Sequence, residues 1–272
     1  MKVSRTLVRV TTALLATVTA LHAHDFWLEP SATSARKGDS IEVGLRLFDA
    51  GKIDVVKRKN ERITRFVVVD TEGERELTGD DGADPAASFD ARVDGASVLA
   101  YRSERSRITL EPEKFAAYLE EIGAEHVAKE RAERGETDRP AREVYSRSAK
   151  ALVLVGGSSA GFDRKVGLTL EIVPVTDPCA WTPGQSFTVQ LLRDGEPVVD
   201  QSIGVHRLDG TVPSRATRTD EDGRATFEMP TAGRWMIHAT SIARADAAAD
   251  AEWESIWASL TFELPAPKDD PK

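Results

Sequence analysis

The alternation of apolar and polar residues predicts a chain built mainly from short β-strands. Between Ser40 and Phe48 every second side chain is apolar, a period that gives a strand one buried face. After residue 165, apolar runs alternate with turn sequences such as Asp194-Gly195 at intervals of about 8–12 residues. This spacing is typical of a β-sandwich, so we expect an immunoglobulin-like or transthyretin-like sandwich at residues 165–264.

Between the two β-rich parts the pattern changes to helical spacing. A helix start at Glu111-Pro112 is followed by apolar residues three and four positions apart, from Phe115 to Ile122. The predicted fold class is therefore mainly β, with two β-sandwich domains and a short helical insertion between them. The predicted division is a signal peptide at 1–23, an N-terminal β domain at 24–110, a helical insertion at 111–140, a buried strand and connecting loop at 141–164, the C-terminal β-sandwich at 165–264 and a disordered tail at 265–272.

The first 23 residues have the pattern of a secretory signal peptide. A basic start, an apolar run at 10–21 and a small residue at Ala23 together indicate a leader that is removed on export. Cleavage after Ala23 would make His24 the first residue of the mature chain, whereas cleavage after Ala20 would leave His22 and His24 on an extended tail. We therefore expect a periplasmic protein whose mature part has no membrane span.

Composition narrows the range of ligands. The net charge of −9 and the sequence pI near 5.2 argue against a nucleic-acid partner, because phosphate binding requires a basic face, and they favour cations. The chain has one cysteine, Cys179, so it cannot form an intramolecular disulfide. Cys179 lies in an apolar turn before Trp181, and we expect it to be a buried structural thiol rather than a metal ligand.

A histidine at the mature terminus suggests metal chemistry. It offers a metal two donors, its α-amine and its imidazole, so the fold would need to supply only one or two further ligands. The other interpretation is that His24 simply follows the leader, while Phe26 and Trp27 anchor the first strand by burial. Both interpretations remain open from these residues alone.

Five stretches are distinctive as a set: HDFWLEP at 24–30, FAAYL at 115–119, REVYSR at 142–147 with Lys150, VGLTLEIVP at 166–174 and WESIWASLTF at 253–262. In these stretches the chain resembles the bacterial exported domain-of-unknown-function family 4198, whose members are associated with nickel or cobalt uptake. The resemblance implies a β-rich periplasmic protein with a transition-metal site. It implies His24 as a ligand and His238 as the second, and His206, on a strand of the same predicted sandwich, is the third candidate.

We therefore predict a periplasmic metal-binding accessory protein for nickel or cobalt uptake. Ni²⁺ and Co²⁺ are the expected metals and Cu²⁺ is compatible as well, because imidazole and amine are borderline donors. The expected partner is a membrane transporter or an outer-membrane receptor. The alternative is a non-catalytic β-sandwich adaptor for a peptide, glycan or outer-membrane partner. We expect no enzyme activity, because the sequence has no nucleophile elbow, zinc-protease helix or phosphate-binding glycine loop.

Overall fold

The computed structural model describes residues 25–49 and 52–266. The predicted signal peptide, His22, His24 and the end of the tail lie outside these residues. The described part contains two α-helices, α1 (Pro112–Glu121) and α2 (Glu125–Glu133), and none of its helices is long and apolar enough to cross a membrane. Its strands are β1 (Asp25–Pro30), β2 (Ser34–Ala35), β3 (Ser40–Asp49), β4 (Lys52–Val56), β5 (Ile63–Asp70), β6 (Gly73–Glu76), β7 (Ala87–Asp90), β8 (Gly95–Ser103), β9 (Ser106–Leu110), β10 (Ala141–Val155), β11 (Leu170–Pro174), β12 (Ser186–Arg193), β13 (Glu196–Pro197), β14 (Ser202–Arg207), β15 (Arg215–Arg218), β16 (Arg224–Glu228), β17 (Gly233–Arg244) and β18 (Trp253–Leu264).

In the part of the chain that the structure describes, these strands form three sheets. The central sheet has the order β15-β14-β17-β18-β10-β8-β5-β6, with β2 and β9 also paired to β10. An N-terminal sheet contains β1, β3, β4 and β7, and a C-terminal sheet contains β11, β12, β13 and β16. Each four-stranded sheet packs against the central sheet through its own hydrophobic core. The predicted fold class, mainly β with β-sandwich packing and a short helical insertion, is confirmed.

The two cores share the middle of the central sheet. In β8, Val98 points into the core of the C-terminal sheet and Leu99 into that of the N-terminal sheet, and in β10, Leu152 and Val153 divide in the same way. Successive side chains of a strand point to opposite faces, so in a strand between two cores both sets of side chains face apolar surroundings. This explains why the sequence at 151–155 is a continuous apolar run rather than an alternating one.

Strand β10 joins the two halves of the chain. It pairs antiparallel with β8 and β9 on one side and parallel with β18 on the other, where Glu143 is opposite Trp253 and Ala151 is opposite Thr261. Hydrogen bonds of the central sheet therefore connect the predicted N-terminal and C-terminal parts, and the two sandwiches share one sheet.

The turn that contains Cys179 differs from the prediction. Cys179 is exposed, so the expectation of a buried thiol is wrong. Its backbone N–H donates to Oδ1 of Asp177 at 2.8 Å, a turn that leaves the thiol on the surface. The buried anchor of this segment is Trp181, which is 2% exposed and donates its Nε1–H to the carbonyl of Gln185 at 2.9 Å.

A buried ion pair connects β10 to β11. Nζ of Lys150 donates to Oε1 of Glu171 at 2.8 Å and to the carbonyl of Arg164 at 3.1 Å, and both charged side chains are buried. The Glu171 carboxylate also accepts the backbone N–H groups of residues 166–168. The loop before β11 is thus closed onto a carboxylate whose charge Lys150 balances.

Replacing Lys150 with methionine should strongly destabilise the protein. Lys150→Met leaves the Glu171 carboxylate buried without a counter-charge, which costs about 3–5 kcal/mol. The measurement is the free energy of unfolding in denaturant. The matched control is Lys165→Met at an exposed lysine nearby, which should change stability by less than about 0.5 kcal/mol. Equal stability of the two variants would contradict the assigned role of Lys150.

Helix α1 is fixed to the central sheet by an aromatic stack above a buried carboxyl group. The rings of Tyr118 and Trp257 are stacked, with centroids 5.7 Å apart and planes inclined by 6°. The Tyr118 hydroxyl donates to Oε1 of Glu143 at 3.3 Å, and the Ser255 hydroxyl donates to the same oxygen. Burial raises the pKa of Glu143 from 4.5 to about 7, although these two hydrogen bonds act in the opposite direction.

The raised pKa of Glu143 gives a pH dependence of stability. Between about pH 4.5 and pH 7 the Glu143 carboxyl group is protonated in the folded protein and ionised in the unfolded chain. Unfolding therefore releases a proton, and a rise in pH favours unfolding. The free energy of unfolding of the wild type should therefore fall by up to about 3 kcal/mol relative to that of Glu143→Gln over this range. Denaturant titrations at several pH values measure the difference, and Glu120→Gln, at an exposed position of α1, should follow the wild type. If the free energies of unfolding of the wild type and of Glu143→Gln change in parallel with pH, the raised pKa of Glu143 is refuted.

Candidate metal centre

His206 and His238 lie side by side on neighbouring strands. In the antiparallel pairing of β14 with β17, Gly204 is opposite His238 and His206 is opposite Met236. The two histidines are therefore diagonal neighbours on one face of the central sheet, and their ring centroids are 5.5 Å apart. The residues that flank His238, Ile237 and Ala239, point into the C-terminal core, so the histidines occupy the opposite face.

Asp25 completes a cluster of three potential metal ligands. It is the first residue of β1, a strand of the N-terminal sheet that also lies against β10 and β18. Its Oδ1 atom is 3.0 Å from Nδ1 of His238. One donor atom from each of Asp25, His206 and His238 lies within 4.8 Å of the other two. The site therefore joins the start of the described chain to two strands near its other end.

The structure brings together two of the three ligands predicted from the sequence. His206 and His238 converge, whereas His24 lies outside the described residues. Asp25 was not predicted as a site residue, although it stands directly after His24 in the stretch at 24–30. Its position in that stretch is the signal that could have identified it.

The two histidines have opposite pKa shifts. Burial lowers the pKa of His206 from 6.5 to about 4, and the nearby His238 adds to this while Asp25 opposes it. For His238, burial acts to lower the pKa, but the charge and hydrogen bond of Asp25 outweigh it, so the pKa is raised. His206 is therefore neutral at neutral pH, the state in which an imidazole nitrogen can bind a metal.

Gly204 makes room for the His238 ring. A Cβ atom at position 204 would lie 2.3 Å from Nε2 of His238 and 2.9 Å from Cε1. The other ring nitrogen, Nδ1, is already held at Asp25. The ring is thus fixed between a carboxylate on one side and the bare backbone of β14 on the other, and any larger residue at 204 would displace it.

Two imidazoles and one carboxylate form a donor set for divalent first-row transition metals. Imidazole suits Ni²⁺, Cu²⁺ and Zn²⁺, and a set of three ligands leaves coordination positions open for water or for a further donor. The His238 side chain is 31% exposed and that of Asp25 is 16% exposed, so the cluster is accessible from solvent.

Comparison with known proteins identifies a family but gives no activity. The family model described as Domain of unknown function (DUF4198) matches residues 21–243. No curated protein matches the sequence. The fold is similar to the D0-D1 domain of intimin, at 16% identity and a TM-score of 0.21, over 88% of this chain and 97% of that chain. It is also similar to a tetra-tandem repeat in the extending region of a large adhesion protein, at 14% identity and a TM-score of 0.24, over 90% of this chain and 50% of that chain. TM-scores this low carry no argument about function.

Substituting Gly204 with alanine should move the His238 ring. The added Cβ cannot fit beside Nε2, so Gly204→Ala should break the contact with Asp25 and lower the pKa of His238, because burial would then act without the carboxylate. An NMR titration of the imidazole measures this pKa.

The control for this substitution is Gly44→Ala. At position 44 the three atoms nearest to the new Cβ belong to the guanidinium of Arg46, which pairs with Glu29 and Asp84 and not with the cluster. The pKa of His238 should be the same in Gly44→Ala as in the wild type. An unchanged pKa in Gly204→Ala would show that the ring does not depend on the glycine.

Proposed function

The chain belongs to the family Domain of unknown function (DUF4198), and we propose that it is a periplasmic accessory protein that binds a divalent transition metal at His206 and His238. The observation that carries this proposal is the convergence of the two histidines with Asp25, within 4.8 Å of one another. The cargo is Ni²⁺ or Co²⁺, and Cu²⁺ suits the same donors. The protein acts by holding and releasing the ion, without catalysis.

His24 is the fourth residue of the proposed site. It is bonded to Asp25, whose carboxylate lies 3.0 Å from His238, and consecutive Cα atoms are only about 3.8 Å apart. After cleavage behind Ala23, its α-amine and imidazole would add two nitrogen donors to the cluster. This supports a site assembled from the mature N-terminus and the two strand histidines.

Two features support a role in metal uptake at the periplasm. The family match begins at residue 21, next to the predicted cleavage positions. The predicted leader therefore lies almost entirely before the matched residues. A carrier must also give up its metal, and a His238 side chain that is 31% exposed suits exchange with a membrane transporter or an outer-membrane receptor.

The alternative function, an exported adaptor without a metal, is favoured by one surface feature. A groove of about 770 Å³ is lined by Leu154, Trp181, Pro183 and Pro265 together with polar residues that include Thr33 and Glu263. An apolar groove of this kind suits an extended peptide. It lies apart from the metal cluster, because the two sets of lining residues have no member in common.

The test is isothermal titration of Ni²⁺, Co²⁺ and Cu²⁺ into protein purified from the periplasm, with its N-terminus determined by mass spectrometry. We expect one ion per chain, and a loss of affinity of at least about 100-fold in His206→Ala and in His238→Ala, since even partners outside the coordination sphere contribute 10–100-fold. A single alanine added ahead of His24 should weaken binding by blocking the α-amine.

The control is His126→Ala, because His126 lies on α2 and contacts the carbonyl of Ile242 instead of the cluster. It should bind the metal as the wild type does. The metal proposal is wrong if the wild type binds no metal, or if His206→Ala and His238→Ala both bind it as tightly as the wild type. The adaptor would then be the working hypothesis.

A further inference from the structure

A cavity opens beside the metal centre, between the end of α1 and the strands that carry the histidines. Its volume is about 220 Å³. Asp25 and His238 form one wall, and Glu121, the last residue of α1, belongs to another. Gly204, Ala216 and the cationic residue Arg215 also line it. His206 is not among the residues that line it.

The end of α1 is held closely against the sheet at this cavity. Gly123 follows the helix with a φ of +64°, and a Cβ there would lie 2.6 Å from Cβ of Ser202 on β14. The carbonyl of Gly123 accepts a hydrogen bond of 3.3 Å from the Arg218 guanidinium on β15. Glu121, two residues earlier, is therefore kept at the cavity by direct contact between the helix end and the strands.

The cavity has room for several water molecules, each of which occupies about 30 Å³ in the liquid, so a divalent ion can enter it with water still bound. On the inner wall it then meets a carboxylate and an imidazole, the groups that replace its waters.

Glu121 is exposed and lines the same cavity as Asp25 and His238. The two carboxylates, Asp25 and Glu121, outnumber the one guanidinium in the lining, that of Arg215. Their negative charge attracts a divalent cation that approaches the cavity.

We propose that the metal ion enters and leaves the centre through this cavity, and that Glu121 is the carboxylate that holds it while its waters are exchanged for protein ligands. This inference rests on the proposed metal-binding function. Glu121 is here a positioning residue for the passing ion and does not remain a ligand of the bound one. A group that stabilises only the passage speeds loading and release equally, so it leaves the equilibrium affinity unchanged.

The test is stopped-flow kinetics with Ni²⁺ as the probe, on the wild type, Glu121→Gln and the matched control Glu120→Gln. Glu120 is the preceding residue of α1, is exposed, and does not line the cavity. Association is followed on mixing with the metal, and release on mixing with excess chelator. In Glu121→Gln both rate constants should fall by at least about fivefold with Kd within about twofold, whereas Glu120→Gln should stay within about twofold of the wild type in both rates.

The outcomes separate this inference from the proposed function. If the wild type binds no metal, the proposed function fails. If the wild type binds metal but both variants load at the same rate, the role of Glu121 is refuted. If Glu121→Gln raises the release rate and weakens Kd, Glu121 is a permanent ligand and the inference is equally wrong.

A second variant tests the route independently of charge. Ala216 is exposed, lines the cavity and stands opposite Gly204, so Ala216→Phe should fill the passage. Loading and release should both slow by at least about fivefold, while Ala128→Phe, at an exposed position of α2, should leave them unchanged. Normal rates in Ala216→Phe would overturn the proposed route.

Discussion

The parallel pairing of β10 with β18 is the interaction on which the rest of the structure depends. It joins strands from the two halves of the chain into one sheet, and that sheet then forms one wall of both hydrophobic cores. Because a parallel pair cannot close through a tight turn, the chain between these strands is long, and it supplies the C-terminal sheet as well as β14 and β17. The buried Lys150 in β10 adds a charge that Glu171 of β11 balances through a direct ion pair.

The cluster of Asp25, His206 and His238 is a product of this junction. His206 and His238 stand on strands that β18 holds within the central sheet, whereas Asp25 comes from a strand of the N-terminal sheet that crosses against β10 and β18. Neither half of the chain contains the cluster alone. A change that moved β1 away from β10 and β18 would therefore separate Asp25 from His238.

One carboxylate gives the two histidines different roles. Asp25 contacts His238 directly and raises its pKa, while His206, one diagonal further along the sheet, is left with the effect of burial and of its neighbour's charge. A proton therefore favours His238, and His206 keeps its lone pair.

The sequence by itself determined the strands, the helical insertion, the apolar run at 151–155 and the candidacy of His206 and His238. The elements rest on the alternation of a strand and the spacing of a helix, which are local, whereas the resemblance to the family implied the candidacy of the two histidines. Only the tertiary structure decided that the two histidines share a face, that Asp25 joins them, that Gly204 makes room for a ring and that Cys179 is exposed. The physical reason is that strand pairing and burial bring together residues such as Asp25 and His238, more than 200 positions apart, and a periodic pattern within one strand carries no information about its neighbours.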